Sequence, residues 1–146
     1  MTVGLLEISD TIADQDLNAL DEGLAAHTID ENAPELIITR LAILQRDKTG
    51  RVQAGLCGKS FWNWTNIESL WVDKSLRGQG RGRALLVAAE AEAARRGCIG
   101  VYLWTQSFDA PGFYQKMGYT QFAAMDDFPV GHQRIGYRKM IVGVKR

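Results

Sequence analysis

Between residues 77 and 82 the chain reads Arg77-Gly78-Gln79-Gly80-Arg81-Gly82, with an apolar run (65–72, TNIESLWV) before it and an alanine- and leucine-rich run after it. Three alternating glycines let a backbone turn tightly and leave its N–H groups unshielded by side chains. Placed between a strand and a helix, those N–H groups and the positive end of the helix dipole form a concave anion site suited to a diphosphate. Arg77, Arg81 and Arg83 add charge-assisted donors at its rim. The competing reading is a flexible glycine turn with a solvated basic face. Two other phosphate loops fail on spacing. A Walker A loop needs Gly-Lys-Ser/Thr, whereas Gly82 is followed by Arg83 and Ala84. A dinucleotide fingerprint needs a glycine or alanine three residues after its second glycine, which neither register supplies.

The flanking sequence predicts the frame that holds this loop. Residues 3–8 read as a first strand, and Ser9 or Asp10 as the cap of a helix bearing Ile12, Leu17, Leu20 and Leu24. Asn32, Ala33 and Pro34 break that helix. Residues 36–46, 51–62 and 65–72 read as a three-strand meander, with a turn at DKTG (47–50) and a reversal near Asn63. Gly55 and Gly58 allow bulges or close backbone approach. After the glycine loop, Ala84, Leu85, Ala88, Ala91 and Glu92 keep helical spacing, and Gly97 can close that helix. Residues 99–105 read as a buried strand and 110–117 as a short helix with Pro111 in its first turn. Two last strands fall at 119–124 and 133–143. The order β-α-β-β-β-α-β-α-β-β implies one domain over residues 1–146, a mixed sheet with helices on its faces.

Composition removes several function classes. With 46% hydrophobic and 23% charged residues, the 146-residue chain reads as globular rather than disordered. Lys+Arg and Asp+Glu number 17 each, which gives no global attraction to nucleic acid or a membrane surface. No apolar run approaches the ~20 residues that cross a bilayer, and the start lacks a charged n-region. Cys57 and Cys98 lack metal-ligand spacing, and Cys98 reads as a buried thiol. Only two histidines are present, so no metal site is expected. A cytoplasmic location is the expectation.

The run LWVDKSLRGQGRGRALL resembles the acetyl-coenzyme A signature of the GNAT superfamily, Gln/Arg-x-x-Gly-x-Gly/Ala, filled by Arg77, Gly80 and Gly82. The later APGFYQKMGY resembles that superfamily's second hallmark, a short helix with Phe-Tyr followed by Gly-Tyr or Gly-Phe. The resemblance covers roughly residues 35 to 124. It implies an α+β fold: a twisted, mostly antiparallel mixed sheet of about seven strands and about four helices, with a splayed pair of parallel central strands. It also implies acetyl-CoA as co-substrate and N-acetyl transfer to a primary amine of a small molecule or peptide, by direct attack in a ternary complex. The alternative is an acetyl-CoA-binding sensor of the same fold. A homodimer is left open.

The resemblance assigns roles by position. The backbone of Arg77, Gly78, Gln79, Gly80, Arg81 and Gly82, with Arg83, would hold the pyrophosphate. Leu70, Trp71 and Val72 would lend main-chain groups to the pantetheine arm, and the Val72 N–H would face the developing oxyanion. Tyr114 matches the tyrosine whose phenol serves the departing thiolate; the competing reading is a core tyrosine. Glu68 is the candidate base, its pKa raised by Ile67, Leu70 and Trp71; the competing reading is an ordinary outward carboxylate. Ser107 stands where many relatives carry asparagine. For the acceptor, the candidates are His27, the run Phe61 to Trp64 with Trp62 and Trp64, and Asp126-Asp127, whose carboxylates and rings suit a cationic amine. His132 reads as a loop residue.

Overall fold

A computed structural model of the chain describes residues 2–141, which fall into two units, Met1–Leu36 and Ile37–Arg146. In the first unit residues 2–13 adopt neither helix nor strand. The strand expected at 3–8 is absent because it has no ladder partner for its N–H and C=O groups. Helix α1 spans Asp14–Asp30 and starts later than expected. Ser9 accepts the N–H of Thr11 in a local turn instead of capping, and the N-cap Ala13 makes no side-chain bond. Asp14 and Asp16 in the first turn complement the helix dipole. Ile12 precedes the helix.

The second unit is one six-stranded sheet, ordered β1-β2-β3-β4-β6-β5. Strand β1 (Thr39–Arg46) turns through Asp47, whose carboxylate accepts the N–H groups of Thr49 and Arg51, into β2 (Val52–Phe61). The turn into β3 (Trp64–Val72) holds Trp62 and Asn63 at φ 44° and 66°, the left-handed pair of a two-residue hairpin. A single 3-10 turn, Lys74–Leu76, leads through the glycine loop into α2 (Arg81–Arg95). Then come β4 (Gly100–Gln106), α3 (Pro111–Lys116), β5 (Thr120–Asp126) and β6 (Gln133–Met140). The strand expected to run to residue 143 ends at Met140, and 142–143 lie outside the described residues. Among the described residues there are six strands and three helices, beside the about seven and about four expected. All neighbours are antiparallel except β3 and β4.

Alternation along the strands assigns the faces. Leu56, Ile67, Val101, Leu103, Ile135 and Tyr137 are buried with Leu85, Leu86, Ala89 and Ala93 of α2, and Phe113 and Tyr114 of α3 pack on the same cluster. This is the helix-covered face. Its neighbours in sequence, among them Lys59, Tyr102, Trp104 and Arg134, lie on the opposite face. Cys98 is buried beside Thr65, as its apolar surroundings suggested.

Candidate active site

The site begins with one surplus residue. In the β2–β3 ladder the register passes from Cys57↔Ser69 to Gly58↔Ile67, so Glu68 has no opposite number and forms a bulge. Gly58 permits it, because a Cβ there would lie 2.0 Å from the Asn66 carbonyl oxygen. The bulge shifts the phase of β3, so that Leu70 and Val72, rather than Ser69 and Trp71, pack toward the helix-covered core. It also ends the parallel pairing: β3 and β4 are joined from Trp64↔Gly100 to Ile67↔Leu103 and part beyond.

Main-chain phase shows what lines the gap. Asp73 donates its N–H to Gln53. By antiparallel alternation Trp71 then bonds across to Gly55, while Leu70 and Val72 turn their main-chain groups away from β2 into the gap. On the other side Ser107 donates to Gln133, so Leu103 and Thr105 bond to β6 and the main chains of Trp104 and Gln106 face the gap. Trp71 therefore offers the cleft only its side chain.

At one end of the gap lies the glycine loop. Gly78 and Gly80 sit at φ 76° and 74°, where a side chain would be strained, and Gly80 is the N-cap of α2. The N–H groups of residues 78–83 have no acceptor among the described residues. They leave a run of unshielded donors at the start of α2, where the helix dipole is positive. Two contacts brace the loop. The Arg77 Nε donates to the Val72 carbonyl at 3.1 Å, tying the loop to the end of β3. Asp73 accepts the N–H and hydroxyl of Ser75, and these bonds hold its carboxyl below the usual carboxylate range. Loop, gap, the start of α3 and residues 103–106 enclose a cavity of about 1120 Å³.

Tyr114 of α3 lines this cavity from the helix-covered face. Its ring is held against Phe113, Tyr119 and Tyr137 at 5.1, 6.0 and 6.0 Å between centroids. Its hydroxyl has no hydrogen-bond partner among the described residues, and burial, reinforced by the negative charge of Asp109, raises its pKa. The phenol is thus a protonated, unspent donor facing the cavity. Glu68 enters from the opposite face. Its carboxylate meets Arg40 at 3.1 Å and Lys59 at 3.9 Å, with the side chain 35% exposed. The desolvated carboxyl expected from Ile67, Leu70 and Trp71 is not what surrounds it: the bulge turns it to a pair of cations.

Other expected residues lie elsewhere. Ser107 accepts the Gln133 N–H with its hydroxyl and lines a separate depression of about 540 Å³ with Asp126, Asp127 and His132. Its oxygen is spent on the β4–β6 end. Asp126 accepts from the Gln133 side chain, and Asp127 from the Gly131 N–H. Trp62 and Trp64 stand at the closed, paired end of β3, where Trp64 packs on Gly100 and Tyr102. His27 belongs to the first unit, in the last turn of α1. Sequence reading missed Trp104, Gln106, Phe108, Asp109 and Arg134, which line the cavity. Strand register brings Trp104, Gln106 and Arg134 there, and the turn between β4 and α3 brings Phe108 and Asp109.

Comparison with known proteins agrees with this architecture. A family model described as the acetyltransferase (GNAT) family matches residues 9–119. A blasticidin-S acetyltransferase of Streptomyces morookaense is 45% identical over 83 residues, 56% of this chain and 61% of that protein. An acetyltransferase of Agrobacterium fabrum is 35% identical over 91 residues, 62% of this chain and 66% of that protein. The chain therefore spans slightly under two thirds of these curated relatives. A solved acetyltransferase from Bacillus cereus superposes with a TM-score of 0.80 at 25% identity, covering 92% of this chain and 97% of that one. With a family match over residues 9–119 and a sheet split beside a bare glycine loop, the chain belongs to the GNAT acetyltransferase family.

Proposed function

We propose that this protein is an N-acetyltransferase that moves an acetyl group from acetyl-CoA to a primary amine of a small molecule or peptide, with both substrates bound together. The observation that carries the reading is the gap opened at Glu68, with unshielded amides at one end and the Tyr114 phenol at its side. The residues fit acetyl-CoA, whose activated thioester supplies the acyl group. The amides of 78–83, with Arg81 and Arg83, take the diphosphate on the axis of α2. Leu70 and Val72 pair with the pantetheine amides as a missing strand would, and Trp104 and Gln106 face them. The Val72 N–H is the donor for charge developing on the thioester oxygen, a contact worth ~3 kcal/mol.

The cleft is open to both sheet faces. Tyr114 acts from the helix-covered face, and the amine arrives from the face of Glu68. With a pKa above that of a thiol (~8.5), the Tyr114 phenol assists the departing sulfur chiefly as a hydrogen-bond donor. Glu68 receives the proton lost by the amine, directly or through water, and gives up part of its contact with Arg40 to do so. The blasticidin-S acetyltransferase among the relatives favours a small acceptor over a protein one. Release of coenzyme A thiol across a panel of primary amines tests the reading. Acetyl-CoA that binds with no thiol released by any amine would overturn it in favour of a sensor.

A further inference from the structure

Arg134 of β6 lines the same cavity, on the sheet face opposite α2 and α3. Its guanidinium carbon lies 5.4 Å from the Trp104 ring centroid and 5.1 Å from that of Phe128. A single long contact, 3.5 Å to the Gln106 side-chain oxygen, is its one hydrogen bond, and no carboxylate stands within ion-pair distance among the described residues. The Gln106 amide is itself fixed by donating to the Phe128 carbonyl. Two rings and an amide thus hold a planar cation in one orientation with most of its donors unused. A half-buried arginine without a counter-ion is costly, and its fork matches a carboxylate through two parallel bonds.

The diphosphate cradle does not account for this cation, because the glycine loop opens onto the helix-covered face that carries α2. Glu68 does share its face: its partner Lys59 alternates with buried Gly58 and Ser60. The outer wall of the cavity therefore carries Glu68 on β3, in contact with Arg40 and Lys59, and the unpaired Arg134 on β6, on opposite flanks of the gap. We propose that Arg134 is the specificity residue for the acceptor and that the acceptor is zwitterionic, its amine beside Glu68 and a carboxylate on Arg134. This rests on the acetyl transfer proposed above and names its substrate class.

The test uses the full chain, thiol release, and matched acceptors: ω-amino acids from glycine to 6-aminohexanoate, each against its carboxamide. At the best-fitting length the wild-type kcat/KM for the acid exceeds that for the amide by about 30-fold, the range of a charge-assisted pair. Arg134→Gln collapses that ratio toward one, mainly through KM, and Arg134→Lys retains part of it. Affinity for acetyl-CoA, measured by calorimetry, does not follow the ratio. Parity of acid and amide in the wild type at every length overturns the proposal, and this needs no variant to fold. So does a ratio that survives Arg134→Gln, or a loss of acetyl-CoA affinity by the same factor. Turnover of other amines but of none of these acids sinks the carboxylate alone, whereas no thiol release with any amine sinks the acetyl-transfer reading and this one together.

Discussion

Glu68 shows how much one surplus residue can do. As the unpaired member of the bulge it ends the β3–β4 ladder and sets Leu70 and Val72 into the gap. The position depends on Gly58, whose missing Cβ leaves room for the Asn66 carbonyl. Gly58→Ala forces backbone apart and should destabilise the fold by about 2–3 kcal/mol, the cost of overpacking, as read by chemical denaturation. Tyr114 carries a different burden, since its phenol has no bond to lose inside the protein. Tyr114→Phe should leave the melting temperature within a degree or two and acetyl-CoA affinity within about twofold, while kcat falls about 100-fold. Equal falls in affinity and turnover would reassign Tyr114 to binding.

At the scale of elements, three pieces of the fold meet at the glycine loop. The end of β3 is tied by Arg77, the 3-10 turn is capped by Asp73, and α2 presents its first turn bare. The glycines are not equivalent. Gly80 sits in the left-handed region, and a Cβ added to it would meet nothing within 4 Å, so its constraint is conformational. Gly82 has an ordinary φ, and a Cβ there would meet Phe113 at 3.5 Å, an ordinary contact. Gly80→Val should cost about 1–2 kcal/mol of strain and weaken acetyl-CoA binding tenfold or more. Gly82→Ala should leave the fold intact, whereas a bulkier side chain at 82 meets Phe113 and Leu70. Calorimetry of the two variants side by side distinguishes strain from crowding.

The whole second unit is fastened by two ionic nodes on α2. Arg96, bonded to Glu92, also donates to the carbonyls of Thr39 and Arg40 and to Ser60, joining the end of α2 to β1 and β2. Glu90 accepts from Tyr119 at 3.1 Å and from Lys139 at 2.7 Å, joining α2 to β6 and to the segment after α3. Lys139 also donates to the Met117 carbonyl, so the exit of the Tyr114 helix is held from two sides. Burial, then the charge of Glu90, pushes the Tyr119 pKa far above its usual value. The folded state therefore holds this proton more tightly than the unfolded chain. Its stabilisation is complete below the unfolded value, about 10, and is lost as pH rises beyond it. Thermal melts should fall from about pH 10 upward. Tyr119→Phe should melt lower at pH 8, by roughly 1 kcal/mol for the lost bond, but decline less steeply in alkali. A parallel decline would remove Tyr119 as its source.

Local chemistry in the sequence was enough to determine the meander, the glycine turn, the helix of Ala84 to Glu92, the short helix before Gly118 and the family motifs, because each depends on neighbours a few residues apart. The same locality explains the errors. Residues 3–8 look like a strand, but pairing requires a partner that their own composition cannot reveal. Ser9 is a good cap by type, yet its hydroxyl is satisfied two residues on. Glu68 was legible as a candidate, though not its cations, since Arg40 and Lys59 reach it only through the ladder of three strands. Trp64 sits at the closed end of its strand, and Ser107, although it follows the cleft end of β4, spends its hydroxyl on the Gln133 N–H. Arg134, distant in sequence from every motif, enters the cavity because β6 lies between β4 and β5. Side-chain type and short spacing determined which chemistry the chain could carry; register, bulge phase and strand order decided which of those groups share a cleft.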